Sequence, residues 1–304
     1  MSDQRFYAAL PARGVIEIAG TDRVEFLQGL VSNDVTKAAA DRAIYAALLT
    51  AQGRYLFDFF IIALGDALYL DAEAARLAEL QRRLSLYKLR AKVVLSDASA
   101  RFAVAAAWGD GTASALGIGG DSGAAKSFAG GVAYLDPRLA ALGARFLLPR
   151  ENSDALEQAG FAASDAAAYD RHRLALGVPD GTRDLVPEKA LLMESGFDEL
   201  NGIDWQKGCY MGQELTARMK YRALVKKRLL PVIIEGVAID GAAVAPGTAI
   251  TQNGSEAGEM LSTQGSRGLA LLRLEAVEAM QSNGADLKAG AAVIRPEKPA
   301  WMKD

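Results

Sequence analysis

The chain of 304 residues is poor in thiol and imidazole: it has one cysteine, Cys209, and one histidine, His172. A single cysteine excludes an intramolecular disulfide and any metal site built from several thiolates of one chain. His172 lies among charged residues far from Cys209 in sequence, so a thiol–imidazole pair has no local support. Long apolar runs are also missing. No uncharged stretch reaches the roughly 20 residues of a membrane span, and the N-terminal MSDQRFYAALPARG lacks a signal-peptide core. These absences lead us to expect a cytoplasmic protein with no membrane partner. A net charge of −3 argues against a general nucleic-acid binder. What remains, 51% hydrophobic and 23% charged residues, is the balance of a folded globular chain of about two domains.

Along the chain, Gly14 to Ala19 reads as a strand. Asp22 and Glu25, in capping-box spacing, start a short helix that ends at Gly29 and the polar turn Ser32-Asn33-Asp34. Residues 45 to 62 form two strands joined at Gln52-Gly53, a hairpin whose apolar run is interrupted by Asp58. A buried carboxylate is costly unless paired, so Asp58 faces solvent, is paired, or is used. Leu77, Leu80, Leu84 and Tyr87 fall on one helical face, and Lys92 to Leu95 reads as a strand. Strands mixed with helices, with an antiparallel hairpin, indicate an α+β fold. The stretch Gly120 to Ser127 is one residue short of a phosphate-binding loop, with Ala125 where glycine is needed, and reads as coincidence. Beyond Leu229 come short β runs, Leu230 to Glu235, Gly258 to Ser262 and Leu269 to Leu274, separated by Pro-Gly and Asn-Gly turns. The expected division is residues 1–228 and a small β-domain, 229–304.

The most unusual stretch is Lys207-Gly208-Cys209-Tyr210-Met211-Gly212-Gln213-Glu214. Two glycines remove Cβ atoms where the backbone turns or is closely approached, and Glu214 suits the first turn of a helix from Leu215 to about Arg222. A thiol just before a helix N-terminus, with Lys207 beside it, is a candidate reactive thiolate. The alternative is a small buried apolar side chain.

This stretch resembles the K-G-C-Y/F-x-G-Q-E motif of the folate-binding YgfZ family, relatives of the aminomethyltransferase of the glycine cleavage system. The resemblance extends to Ile16–Val35, which is similar to I-x-V-x-G-x-D-x-x-x-F-L-Q-G-x-x-T/S-N-D-V, and to Tyr87-Lys-Leu-Arg90, with a looser likeness around Glu194 and the closing Pro299-Ala-Trp301. It implies two interleaved α+β subdomains and a C-terminal β-barrel around a central folate-binding opening. It further implies a tetrahydrofolate-binding auxiliary protein, not a free-standing enzyme. Such a protein supports iron–sulfur cluster assembly or repair in selected enzymes, including tRNA-modifying ones. Its partners would be iron–sulfur client or assembly proteins, with Cys209 and Lys207 as the reactive pair. Tetrahydrofolate, or a one-carbon derivative, is expected with its pterin among Asn33, Asp58 and Glu194 and its tail toward Arg218 and Arg222. With one cysteine, any cluster must take further ligands from elsewhere.

Two other readings stand beside it. A folate-dependent transferase needs an acid near the folate nitrogen, for which Asp71 and Glu73 are candidates. An RNA-binding module would use Arg218, Lys220, Arg222, Lys226, Lys227 and Arg228, a run with no acid from Leu215 to Ile234.

Overall fold

The computed structural model describes residues 4–236 and 244–303. The chain divides into two compact units. The first holds the chain up to Tyr169 and Leu200–Gln213, the second Asp170–Glu199 and Glu214 onward. These units differ from the expected cut at 228/229, because the segment Asp170–Glu199 makes its contacts with the C-terminal part while the cysteine loop stays in the first unit.

In chain order the first unit contains β1 (Phe6–Ala9), β2 (Arg13–Ala19), α1 (Arg23–Gln28), β3 (Ile44–Leu49), β4 (Tyr55–Leu64), β5 (Ala67–Glu73), α2 (Leu77–Leu86), β6 (Val94–Asp97), β7 (Phe102–Trp108), α3 (Thr112–Leu116), β8 (Ala125–Phe128), β9 (Gly131–Leu135), β10 (Ala144–Pro149), α4 (Ala155–Gln158) and β11 (Ala162–Ala163). They form a five-stranded sheet, β3-β4-β5-β2-β6, and a six-stranded sheet, β11-β1-β7-β10-β9-β8. The Gly120 to Ser127 stretch leads into strand β8, which rules out a strand–loop–helix phosphate site there. Asp22 does not cap α1; its carboxylate accepts from the Lys92 amide and the Thr21 hydroxyl instead.

The five-stranded sheet has one oily and one polar face. Ile16, Ile18, Phe57, Phe59, Ile61 and Leu70 pack with Leu27 of α1 and Leu77, Leu80 and Leu84 of α2. The opposite face carries Arg13, Tyr45, Asp58, Phe60 and Asp71, which meet Tyr134 of β9, Asp136 and Arg138 of the connection after it and Arg145 of β10 in a dry layer. Asp71 bonds Arg13 and Arg145, each at 2.6 Å, while Arg138 bonds Asp136 at 2.8 Å. The guanidinium carbons of Arg13, Arg138 and Arg145 lie 5.7, 4.9 and 4.1 Å from the Phe60 ring centre. The carboxylates balance the arginines, and the ring offers its negative face to them. A register shift at Leu48/Leu49 inserts an extra residue into β4. Residues three apart, Tyr55 and Asp58, thereby share a face, where strict alternation would part them.

The second unit takes most of α5 (Ala166–Ala175), from Asp170 on, then nearly all of α6 (Gln213–Tyr221), β12 (Lys227–Glu235), β13 (Ala249–Gln252), β14 (Ser255–Gln264), β15 (Arg267–Arg273), α7 (Leu274–Asn283), β16 (Leu287–Ala289) and β17 (Ala292–Pro296). Its six strands close into a barrel, β12-β15-β14-β13-β16-β17, filled by Val232, Ile250, Met260, Leu272, Leu287 and Ile294. Arg173 of α5 is buried between Asp170 and Asp184, and Asp184 also accepts the Ser262 amide at 3.0 Å, tying the 170–199 segment to β14. The Trp301 indole donates to the Leu176 carbonyl at 2.7 Å. The architecture is thus α+β with a closed C-terminal barrel. No helix among the described residues is long and apolar enough to cross a membrane.

Candidate functional site

Cys209 is exposed, so the buried-cysteine alternative falls. Its loop is fixed on both sides. On one side Lys207 is buried, and its ammonium donates to the carbonyls of Gln28 (2.8 Å), Val31 (2.6 Å) and Asn33 (2.8 Å). On the other, Gly212 has φ +80°, and a Cβ there would meet the Thr50 carbonyl, Leu49 Cβ and Gly53 Cα of the β3–β4 hairpin. Between these anchors, the Met211 amide bonds the Gly29 carbonyl at 3.2 Å. Gly208 is different: a Cβ there would meet nothing within 4 Å, so that position is open space. Helix α6 begins at Gln213, with Glu214 in its first turn as expected.

Lys207 therefore has a different occupation from the one the sequence suggested. Its charge is spent on three carbonyls at the end of α1 and in the turn that follows. Burial pushes its pKa down to about 8, with Asp34 and Asp204 acting against the shift. Asp204 braces the same loop, accepting from the Gln206 and Lys207 amides at 2.7 and 3.0 Å and from the Lys37 ammonium. Burial works to raise its carboxyl, yet Lys37 and the two amides hold it below the ordinary range.

Beside this loop lies a cavity of about 250 Å³. Asn33, Lys37, Arg42, Tyr45, Asn201 and Asp204 supply its polar lining. Of the expected folate residues only Asn33 lines it, and its amide is engaged: Nδ2 donates to the Tyr45 and Asn201 carbonyls at 2.8 Å each, and Oδ1 accepts the Asp34 amide. Asp58 does not line it. Its oxygens accept the Tyr45 and Tyr55 hydroxyls at 2.8 and 2.6 Å, so of the three readings of this residue the paired one holds. Glu194, Arg218 and Arg222 belong to the second unit. Glu194 is half-buried and its carbonyl accepts the Leu229 amide. Sequence reasoning missed Lys37, Tyr45 and Asp204. Only Asp204, two residues before an amide it accepts, carried a recognisable turn signal.

The basic run is less bare than its sequence suggests. Arg218 pairs with Glu214, Lys220 with Asp198, and Arg228 with Glu199, carboxylates that lie upstream of the run. Asp71, a candidate acid for transfer chemistry, is fully buried; burial raises its carboxyl, but Arg13 and Arg145 outweigh this and hold it below the ordinary range. Glu73 is half-buried on the same strand, and His172 is half-buried on α5.

Two sheets, a braced loop and a closed barrel give the chain an aminomethyltransferase-like fold. The chain superposes on the crystal structure of glycine cleavage system aminomethyltransferase T from Bartonella henselae with a TM-score of 0.75, covering 98% of this chain and 86% of that one at 13% identity, a likeness of fold alone. Residues 226–304 match the CAF17 C-terminal beta-barrel domain. The chain belongs to the family of the iron–sulfur cluster assembly factor IBA57. It is 33% identical to the mouse mitochondrial protein over 313 residues and 34% identical to the human one over 311, in each case across 96% of this chain and 84% of the relative. The resemblance to the YgfZ family is thereby placed at the coarser level of this fold and this family. The expected cytoplasmic location is corrected: these relatives, and that of Pyricularia oryzae, are mitochondrial by name, and the composition of an N-terminus does not decide a compartment.

Proposed function

We propose that the protein supports assembly of iron–sulfur clusters in client enzymes, with Cys209 as the thiol that meets the cluster or its carrier. The observation that supports this most directly is an exposed, solitary thiol on a loop anchored at Lys207 and Gly212, with open space at Gly208. One thiolate cannot hold a cluster, and among the described residues no group of three or more His, Cys, Asp or Glu could hold a metal. The other ligands therefore come from a partner protein. Client enzymes that modify tRNA belong to this reading on the resemblance of the cysteine motif.

Tetrahydrofolate is implied by the same motif, but two of the three residues expected around its pterin do not fit one as arranged. Asn33 and Asp58 have their polar side-chain atoms engaged by the protein. The transferase reading loses Asp71 to its two arginines, and the RNA reading loses half of its cations to Glu214, Asp198 and Glu199.

The test is complementation. In cells lacking the gene, activity of the affected iron–sulfur enzymes should return with the wild-type protein and not with Cys209→Ser, while the purified variant melts like the wild type. Full rescue by Cys209→Ser would remove the thiol from the function.

A further inference from the structure

Seven large apolar side chains are well exposed among the described residues, and four of them sit at one corner of the first unit. Leu86, Tyr87, Leu89 and Val94, exposed by 64, 40, 90 and 61%, lie at the end of α2, in the loop that follows and at the start of β6. Single exposed leucines are ordinary; four within nine residues are a patch. Leu89 stands at φ +42°, a conformation that residues other than glycine seldom take, and it is the most exposed of the four.

Along this stretch of chain the charge has one sign. Between Glu79 and Asp97 the chain carries Arg82, Arg83, Lys88, Arg90 and Lys92 and no acid. Asp22, which accepts the Lys92 amide and the Thr21 hydroxyl, and Glu79, which pairs with Arg76, stand beside this stretch and are outnumbered by its five cations. This corner takes no part in the cysteine loop or in the cavity.

We propose that this corner docks on an anionic phospholipid surface, with Leu86, Leu89 and Val94 entering the headgroup region and the cations facing the lipid charge. A protein partner fits less well. Stable protein interfaces bury about 800 Å² per partner and are depleted in lysine at their core, whereas this patch is one short connection with cations between its apolar residues. Apolar tips flanked by Lys and Arg are what shallow membrane binding uses, and each cation near a negative leaflet adds to the attraction. The contact is with a protein lying on a bilayer, not crossing it.

The experiment is sedimentation of the full chain with vesicles of phosphatidylcholine, with and without phosphatidylserine, at low and high salt. Wild type should bind only the anionic vesicles and be released by salt. Leu89→Asp, and separately Lys88→Glu with Arg90→Glu, should weaken binding at least about tenfold, while both melt like wild type. Val186→Asp, at an exposed apolar position elsewhere, should bind normally. Failure of the wild type to bind anionic vesicles at low salt overturns the proposal, as does undiminished binding by Leu89→Asp. Loss of a complex with an acidic iron–sulfur protein on Leu89→Asp, without any vesicle binding by wild type, would assign the patch to a protein and also overturn it.

Discussion

Replacing Lys207 by Met keeps the length of the side chain and removes its three donors. The carbonyls of Gln28, Val31 and Asn33 then lose a charged partner. Hydrogen bonds to charged groups contribute about 1.5–3 kcal/mol each, but the variant also escapes the cost of burying an ammonium. We therefore expect a net loss of about 2–4 kcal/mol, since desolvation offsets part of the three bonds. At about 2–4 °C per kcal/mol for a domain of 150–250 residues, the melting temperature should drop by about 5–15 °C. The pH dependence has a definite sign. The folded pKa of Lys207, about 8, lies below its usual 10.5, so between those values the unfolded chain binds more protons and stability rises with pH. Wild type should accordingly gain on Lys207→Met across that window. Melts followed by circular dichroism from pH 7 to the alkaline end of the window read both effects. An unchanged melting temperature in Lys207→Met would refute the bracing role, and a wild-type advantage that shrinks across the window would refute the assigned direction of the shift.

Four further outcomes are expected. Gly212→Ala should cost at least about 2 kcal/mol, because it combines strain at positive φ with a clash against the hairpin backbone. Gly208→Ala, with open space and no such strain, should stay within about 0.5 kcal/mol of wild type in denaturant titrations. Asp58→Asn should lower stability by about 1–3 kcal/mol and leave any tetrahydrofolate binding read by calorimetry unchanged; a selective loss of folate affinity would return Asp58 to the ligand site. Asp71→Asn should cost about 3–5 kcal/mol by stranding two buried guanidinium groups. Because the Asp71 carboxyl is held low, its stabilisation is present above the usual carboxylate pKa and is lost as pH falls through the folded value. Acid titration of the variant should therefore lose less stability over that range than wild type.

Periodicity made the β3–β4 hairpin, the α2 face and the β character of the C-terminal region legible in the sequence, and the Cys209 loop stood out by residue type alone. The short strands β16 and β17, of three and five residues, and helix α7 carried too little pattern to be read. At the candidate site, adjacency misled. Lys207 is two residues from Cys209, yet the turn between them aims its ammonium at the end of α1. Asp58 was legible as a carboxylate needing partners, but one partner, Tyr55, reaches it only because of an extra residue in β4 that no local sequence rule announces. The basic run looked bare because its acidic partners, Asp198 and Glu199, precede it by some twenty residues of intervening loop and helix.

The ionic layer around Phe60 has a consequence for how the two sheets find one another. An all-apolar interface tolerates sliding, since one aliphatic contact replaces another at little loss. Here a slip of β5 by one residue would turn Asp71 to the opposite face and leave Arg13 and Arg145 in the dry layer without a counter-ion. Misaligned sandwiches are therefore penalised far more heavily than the native pairing is rewarded, and the layer acts as a key for alignment more than as a source of net stability.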